Sequence, residues 1–172
     1  MKTRFRLLFF IFMLGMLIGS DRITKVIAKK ELPGRGELSF FHDTIRLVYT
    51  ENTGAFLSLG ADLPHSISYI IFIIIPLIFL MAFAAYIIIK RYQLSMLIFF
   101  CYTLILAGGL GNIIDRVMHH MRVSDFLNFG IGNLRTGILN LADFYITTGV
   151  SIIIIIALLP KKKKAEETGT VA

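Results

Sequence analysis

The sequence contains one cysteine, no tryptophan and few charged residues. Only 17% of its 172 residues are Asp, Glu, Lys or Arg, whereas 56% are hydrophobic, and the mean hydropathy is +0.76. A soluble domain of this length has too little interior to bury so much apolar surface. The composition therefore excludes an ordinary soluble protein and indicates that the lipid bilayer is the solvent.

The shortage of cysteine also excludes several kinds of site. Cys101 lies inside an apolar run and has no partner for a disulfide within the chain. Neither Cys101 nor the pair His119 and His120 stands in a metal-ligand pattern, so we predict no metal and no cofactor. The net charge of +7 would suggest nucleic acid in a soluble protein. We expect no nucleic-acid partner here, because basic residues beside spans contact anionic membrane lipids.

Four apolar runs are long enough to cross a membrane, which takes roughly 20 residues. They cover about residues 5–21, 66–89, 94–114 and 139–159, and Pro76 is expected to kink the second. The first run also has the outline of a cleaved signal peptide, with a basic start and a small residue at its end. Its helical pattern continues into DRITKVIAKKEL, which favours a retained helix with an amphipathic extension along the interface.

Four spans leave both termini on one side of the membrane. The 18 Lys and Arg residues divide equally between the two sides, but those beside the termini and the 90–91 turn lie on much shorter segments. By the positive-inside rule we predict that both termini are cytoplasmic.

The remaining sequence predicts one domain, residues 1–160, followed by a polar basic tail, residues 161–172, that we expect to be disordered. The loops at about 21–66 and 116–138 mix aromatic, β-branched and alternating polar residues, which is typical of short strands. The predicted fold is a membrane α-helical bundle of four transmembrane helices, with a small extracytoplasmic β-layer and an interfacial amphipathic helix.

The third span carries a small and polar face. Gly108, Gly111, Asn112 and Asp115 stand at i, i+3, i+4 and i+7, and small residues let helices approach closely, so packing alone is one explanation of the glycines. Asp115 is less easily explained, because ionisable groups in spans are rare. An ion pair with Arg116 is an alternative, but adjacent helix residues do not share a face.

The fourth span begins with a second polar stripe, which includes Asn140 and Asp143. One explanation is a helix cap, since Asn is a good N-cap and an acid at N3 suits the helix dipole. The antiparallel spans also bring Asp115 and Asp143 to a similar depth. Two carboxylates at close quarters share a proton, so one can activate water as a base while the other acts as an acid. The helix dipoles predict a protonated Asp115 and an ionised Asp143, and the charge of Arg116 beside Asp115 would favour the reverse assignment.

Five motifs together resemble one family. DRITK (21–25), NTGAF (52–56), GGLGNIIDR (108–116), VSDF (123–126) and NLADFYI (140–146) resemble lipoprotein signal peptidases, the type II signal peptidases of bacteria. The resemblance covers nearly the whole chain. It implies a four-helix membrane bundle with an outer β-cradle, located in the bacterial inner membrane with its active site near the extracytoplasmic interface.

The resemblance also implies an activity. It predicts an aspartic endopeptidase that removes the signal peptide from diacylglyceryl-modified prolipoproteins, cutting just before the lipidated cysteine. The expected partners are these prolipoproteins and membrane lipids, and the enzyme is expected to be a monomer inhibited by globomycin-type cyclic peptides. The family's catalytic pair corresponds to Asp115 and Asp143. Other motif residues correspond to Asp21, Lys25, Asn52, Gly54, Asn112, Arg116, Asn140 and Ala142.

Physical roles can be assigned to these positions. Asn112 and Asn140 each lie one turn before an acid and can hydrogen-bond a carboxylate or the substrate. Asn52 is expected to hold the substrate backbone, which Gly54 allows to come close. Asp21 and Lys25 are spaced to pair with each other.

Two roles remain open for Arg116, a contact with a lipid phosphate or a brace for the β-layer. The sequence departs from the family pattern at Ala55, where the usual second Ala is missing, and at Leu139, where Phe is usual. These departures affect the expected groove shape more than the chemistry.

Two other functions remain open from the residues alone. A small proton-coupled transporter would use both acids as relay groups. A non-enzymatic scaffold would use them only as caps and packing polars. The peptidase is preferred because both acids lie near one interface, whereas the second and fourth spans offer no polar path across the membrane.

Overall fold

The computed structural model describes residues 2–54 and 59–159. The predicted tail, 161–172, and the departure at Ala55 lie outside the described residues. The helices are α1 (Lys2–Glu31), α2 (His65–Tyr69), α3 (Ile75–Lys90), α4 (Met96–Met118) and α5 (Leu141–Leu158), with a π-helical turn at Ile70–Ile74. The strands are β1 (Leu38–Phe40), β2 (Ile45–Asn52), β3 (Val123–Ile131) and β4 (Leu134–Arg135).

Four helical stretches of the described chain are long and apolar enough to cross a membrane. They are Arg4–Glu31, His65–Lys90, Met96–Met118 and Leu141–Leu158, and they correspond to the four predicted spans. Together with a four-stranded antiparallel sheet, they confirm the predicted membrane bundle with a small β-layer.

The first span extends beyond the membrane on the side of the sheet. At 1.5 Å per residue, the 30 residues of α1 measure about 45 Å, which exceeds a hydrocarbon core of about 30 Å. The predicted interfacial segment is therefore the last part of α1 and not a separate helix. Ala28 of this segment and Leu32, just after its end, pack against Phe126 of β3.

The second span is interrupted near its middle. The π-helical turn at Ile70–Ile74 ends just before α3, and Pro76 occupies the first turn of α3. Because proline has no N–H to donate, a wider turn beside it accommodates the missing hydrogen bond. The irregular turn next to Pro76 is thus a π-helical turn, and the predicted kink stays a prediction.

The four-stranded sheet packs at one end of the helical bundle, where β3 contacts α1 and α4. Its order is β1-β2-β3-β4, and β2 pairs with β3 from Ile45↔Phe129 to Asn52↔Val123. The first half of β3 is buried, and this half includes Asp125. The backbone of Leu139 also pairs with Leu127 in the middle of β3, so the sheet fixes the start of α5.

Helix α4 lies at the centre of the bundle and packs against α1, α3 and α5. Small residues bring α4 and α5 together, because a Cβ atom added to Gly108 would overlap the carbonyl oxygen of Ala142. A Cβ added to Gly149 would lie 2.7 Å from the carbonyl oxygen of Cys101. The packing role predicted for the glycine face is therefore confirmed at Gly108, and this close approach brings the polar ends of both helices together.

Candidate active site

Asp115 lies in the last turns of α4 and is completely buried among positive charges. Its carboxylate contacts the guanidinium of Arg22, lies 3.1 Å from Lys25 Nζ and lies 3.6 Å from His119 Nδ1. The backbone N–H of Ser124 donates to it at 3.2 Å. Two cations and a histidine therefore surround the Asp115 carboxylate. Within the described residues, no hydrogen bond or ion pair joins Asp115 to Asp143.

Asp143 lies in the first turn of α5, where it takes part in a capping box. The Asn140 side chain accepts from the Asp143 N–H at 3.0 Å, and the Asp143 carboxylate accepts from the Asn140 N–H at 3.2 Å. Its other oxygen accepts from Asn112 Nδ2 at 2.8 Å. The predicted helix cap is confirmed, and yet Asp143 is only half-buried. Its carboxylate is therefore held in one orientation while part of it remains accessible.

A third carboxylate, which the sequence reasoning did not select, lies beside this cap. Asp125 of β3 is 2% exposed and accepts from Asn140 Nδ2 at 2.6 Å and from Asn52 Nδ2 at 3.2 Å. Burial, with the charge of Asp143 adding to it, raises the pKa of Asp125 to about 6 against the opposing effect of these hydrogen bonds. The sequence signal that could have identified Asp125 is an acidic residue within the VSDF motif, which forms a buried strand.

Asn112 connects the acids through both ends of its amide. Its oxygen accepts from Lys25 Nζ and from Asn140 Nδ2, each at 3.2 Å, while its nitrogen donates to Asp143. With two donors at its oxygen, the amide cannot flip without losing them. Lys25 therefore fixes the orientation of Asn112, which in turn orients Asp143.

Asp21 ties α1 to the start of α5. Its Oδ2 lies 2.8 Å from Lys25 Nζ, which confirms the predicted pair, and its Oδ1 accepts from the Ala142 N–H at 2.9 Å. Ala142 is fully buried, and a Cβ added to Gly111 would lie 2.8 Å from Asp21 Oδ2. The Asp21–Lys25 pair is thus a structural support beneath the site.

Arg116 secures the segment that follows β2. Its guanidinium donates to the Gly54 carbonyl at 2.7 Å and to the Asn112 carbonyl at 3.3 Å, and it lies over the Phe72 ring at 5.6 Å. Asn52 accepts from the Gly54 N–H at 3.0 Å. These contacts support the predicted role of Arg116 as a brace, and its contact with a lipid phosphate stays a prediction.

An apolar groove opens beside these polar groups. Its volume is about 240 Å³, and it lies between the second span, α4 and α5. Asn112 and Arg116 form its polar end. The other lining residues are Phe72, Pro76, Phe79, Leu80, Gly109, Ile113 and Ile146.

The structure brings most of the predicted site residues into one network. In this network Asp125 accepts hydrogen bonds from Asn52 and Asn140, and Asp143 accepts one from Asn112. At the edge of the network, Arg116 donates to the Gly54 carbonyl. Leu139 contributes backbone hydrogen bonds to β3. An amide-rich network with two acids is suited to acid–base hydrolysis by water.

Comparison with known proteins identifies the family. The family model described as signal peptidase (SPase) II matches residues 13–159. The chain belongs to the signal peptidase II family. Members of this family are aspartic peptidases, so the protein is a hydrolase of the lipoprotein-processing class.

Curated relatives carry the same description over almost their full length. The lipoprotein signal peptidase of Borrelia hermsii is 33% identical over 168 residues, which cover 95% of this chain and 97% of the relative. That of Borrelia duttonii is 34% identical over 166 residues, covering 94% and 96%. These relatives are bacterial, and with four spans the chain is a multi-pass membrane protein of this group.

Two solved structures share the fold. Both are described as bacterial membrane enzymes, determined by the in meso method. One has a TM-score of 0.74 and 30% identity, covering 90% of this chain and 92% of the other. The second has a TM-score of 0.72 and 28% identity, covering 90% and 94%.

Proposed function

We propose that this enzyme removes the signal peptide from diacylglyceryl-modified prolipoproteins, cutting just before the lipidated cysteine. We further propose that Asp125 and Asp143 perform the chemistry by activating water, without a covalent intermediate. The observation that supports this pair is Asn140, which donates to Asp125 through its side chain and caps Asp143 at the start of α5.

The surroundings of the three acids favour Asp125 over Asp115 as the partner of Asp143. Asp115 faces Arg22 and Lys25, so its charge is compensated and it has no need to retain a proton. Asp125 has no cation among its hydrogen-bond partners described here, which are the amides of Asn52 and Asn140. A buried carboxyl near a second carboxylate retains its proton, which is the property that a general acid requires.

The proposed reaction follows from this difference. Asp143, ionised, takes a proton from a water molecule as its oxygen attacks the scissile carbonyl carbon. Asp125, protonated, donates its proton to the carbonyl oxygen, giving a neutral tetrahedral diol. In the collapse, Asp143 returns a proton to the leaving nitrogen while Asp125 recovers one from a hydroxyl, and the C–N bond breaks.

Amide side chains hold the two acids in position for this cycle. Asn112 donates to Asp143 at 2.8 Å. Asn52 and Asn140 hold Asp125 in position beside it. The apolar groove, which ends at Asn112 and Arg116, is the proposed site for an apolar part of the substrate.

The orientation in the membrane is also a proposal. With both termini cytoplasmic, the sheet and the acids lie at the extracytoplasmic face, where the cleavage site of an exported prolipoprotein arrives. The basic residues near the termini and the Lys90–Arg91 turn support this orientation. We propose that the enzyme acts as a monomer and that globomycin-type cyclic peptides inhibit it, as the family resemblance implies.

The test is cleavage of a purified diacylglyceryl-prolipoprotein by the full-length enzyme in detergent. We expect Asp143→Asn and Asp125→Asn each to lower kcat/KM by about 100- to 10,000-fold, the usual contribution of a general acid or base. Asp62→Asn is the matched control, since Asp62 is exposed and lies outside the site. Each variant's thermal unfolding is measured, so that loss of fold is separated from loss of chemistry.

The pair Asp115 and Asp143, predicted from the sequence, remains the competing assignment. It would be correct if Asp125→Asn retained cleavage while a folded Asp115→Asn variant lost it. Cleavage that survives all three substitutions would contradict an aspartic mechanism. That result would favour a scaffold or transport role for these acids.

A further inference from the structure

A second polar pocket lies on the α1 side of the sheet, apart from the proposed catalytic pair. It has a volume of about 420 Å³ and forms where the ends of α1, β2 and α4 meet. Asp115 lies between this pocket and Lys25 of the site network. We name it the cationic pocket, and its lining residues are Lys29, Glu51, Met118, His119, His120 and Arg122.

The charges of the cationic pocket favour an anion. Lys29 Nζ lies 3.6 Å from Glu51 Oε1, and Arg122 Nη1 lies 2.7 Å from Glu51 Oε2. Two permanent cations therefore share a single acid, and the two histidines add further N–H groups. The side chains of Lys29 and Arg122 are half exposed, so their remaining donors can reach a ligand.

The position of the pocket identifies the kind of anion. Lys29 is in the last turn of α1 and Met118 is the last residue of α4, so the pocket lies at the membrane interface. Val26, one turn before Lys29 on the same face of α1, is exposed, as are Val117 and Met118. Apolar side chains thus point outward directly beneath a positively charged rim.

From these two features we infer that the cationic pocket binds the phosphodiester headgroup of an anionic phospholipid. The phosphate contacts Lys29 and Arg122, and the acyl chains lie along Val26 and Met118. An acidic peptide would use the cations but would have no need of the apolar surface below them. The inference does not depend on the proposed catalytic pair.

The test is a binding titration by native mass spectrometry on the full-length protein, purified in detergent and stripped of lipid. We expect one phosphatidylglycerol to bind more tightly than phosphatidylcholine with the same acyl chains. Lys29→Gln and Arg122→Gln should each weaken this binding about fivefold, as expected for one basic residue at a membrane surface. Arg35→Gln is the matched control, because Arg35 pairs with Glu31 outside the pocket and its loss should change nothing.

Glu51→Gln provides a second test, in which phosphatidylglycerol binding is expected to strengthen instead of weaken. Removing the single acid that shares Lys29 and Arg122 should strengthen phosphatidylglycerol binding. Equal binding by wild type, the Lys29→Gln/Arg122→Gln variant and Glu51→Gln would overturn the inference. Displacement of the lipid by glycerol 1-phosphate at comparable concentration would indicate a site for small phosphates. Displacement by polyglutamate would indicate a site for acidic peptides, and either result would also overturn it.

Discussion

At the scale of single residues, two asparagines carry most of the organisation of the site. Asn112 donates to Asp143, while Asn140 donates to Asp125 and to the Asn112 oxygen, so each amide is oriented by partners on separate elements. A neutral amide can orient a carboxylate without adding a full charge beside it. The acids of the proposed pair are therefore held by amides, whereas Asp115 is charge-paired with Arg22 and Lys25.

The proposed general acid predicts how activity depends on pH. Asp125, with its pKa raised to about 6, is protonated and active below that pH and loses its proton above it. We expect kcat/KM to fall on the alkaline side with an apparent pKa near this value, because kcat/KM reports the free enzyme. Asn52→Ala removes a hydrogen bond that favours the ionised form, so it should move this limb to higher pH.

The control for this pH profile is Asn128→Ala, since Asn128 is also on β3 but bonds the Thr136 carbonyl instead of the acids. If the alkaline fall of kcat/KM stays at the same pH in Asn52→Ala, Asp125 is not the general acid. A change in KM alone would reflect the substrate-holding role predicted for Asn52. In that case the pH of the alkaline fall would not change.

Lys25 provides a second prediction at this scale. Its side chain is 2% exposed and lies near Asp21, Asp115 and the Asn112 oxygen. Lys25→Met leaves Asp21 buried without its cation, and breaking a buried pair costs about 3–5 kcal/mol. Adding Asp21→Asn should restore part of the free energy of unfolding, because the amide oxygen can still accept from the Ala142 N–H.

Unfolding of these variants in detergent, followed by circular dichroism, gives the measurement. The expected result is an interaction between the two substitutions, with the double variant more stable than Lys25→Met alone. Additive losses would show that Lys25 and Asp21 act independently. Arg35→Gln, which breaks an exposed pair with Glu31, should cost little by comparison.

At the scale of elements, the close approach of α4 and α5 positions the acids. Gly108 leaves no space for a side chain against the first turn of α5, and that turn carries both Asn140 and Asp143. The sheet supplies the rest, because β3 carries Asp125 and pairs with the end of β2 that carries Asn52. The site therefore forms only when two helices and two strands have docked.

Gly108→Ala tests the contact between these helices. The added Cβ would overlap the Ala142 carbonyl and lie 2.7 Å from Ile146 Cγ1, so the helices must separate. Overpacking of this kind costs about 1–3 kcal/mol, and we expect kcat to fall as well because Asp143 moves with α5. Gly15→Ala is the matched control, since nothing lies within 4 Å of a Cβ there.

Both variants are measured by unfolding and by prolipoprotein cleavage. Gly15→Ala should be neutral or slightly stabilising, because alanine favours a helix. Wild-type activity in Gly108→Ala would mean that the α4–α5 distance does not control the site.

At the scale of the whole molecule, the two ends of the bundle differ in structure. The sheet and the acids share one end, while the turn between α3 and α4 lies at the other end. Burial is concentrated around α4, and many large apolar side chains of the other spans are exposed where lipid surrounds them. The bundle is thus organised around one central helix.

The proposed orientation can be tested with single cysteines. Cys101 is the only cysteine of the sequence, so Cys101→Ala gives a background without thiols. Leu134→Cys, on the exposed β4, should react with a membrane-impermeant maleimide added to spheroplasts. Gln93→Cys, in the exposed turn after α3, should react only after the membrane is opened. The reverse pattern would mean that the active site faces the cytoplasm.

The sequence by itself was sufficient for the four spans, the β-layer and the family. Apolar run length fixes a span, since every backbone group in the bilayer must be paired within a helix, and local patterns marked the strands. The Asp21–Lys25 pair and the Asn140 cap were also predictable, because their partners lie within one or two turns. The extension of α1 was also expected, because the helical pattern of the first span continues into DRITKVIAKKEL.

Only the tertiary structure decided which acids share an environment. Helical spacing placed Asp115 and Asp143 at a similar depth, but it carried no information about Arg22 and Lys25 reaching Asp115 from α1. Nor did it reveal that β3 brings Asp125 to Asn140. The proton affinity of a carboxyl depends on burial and on charges brought from distant parts of the chain, so docking of the helices and the sheet determines it.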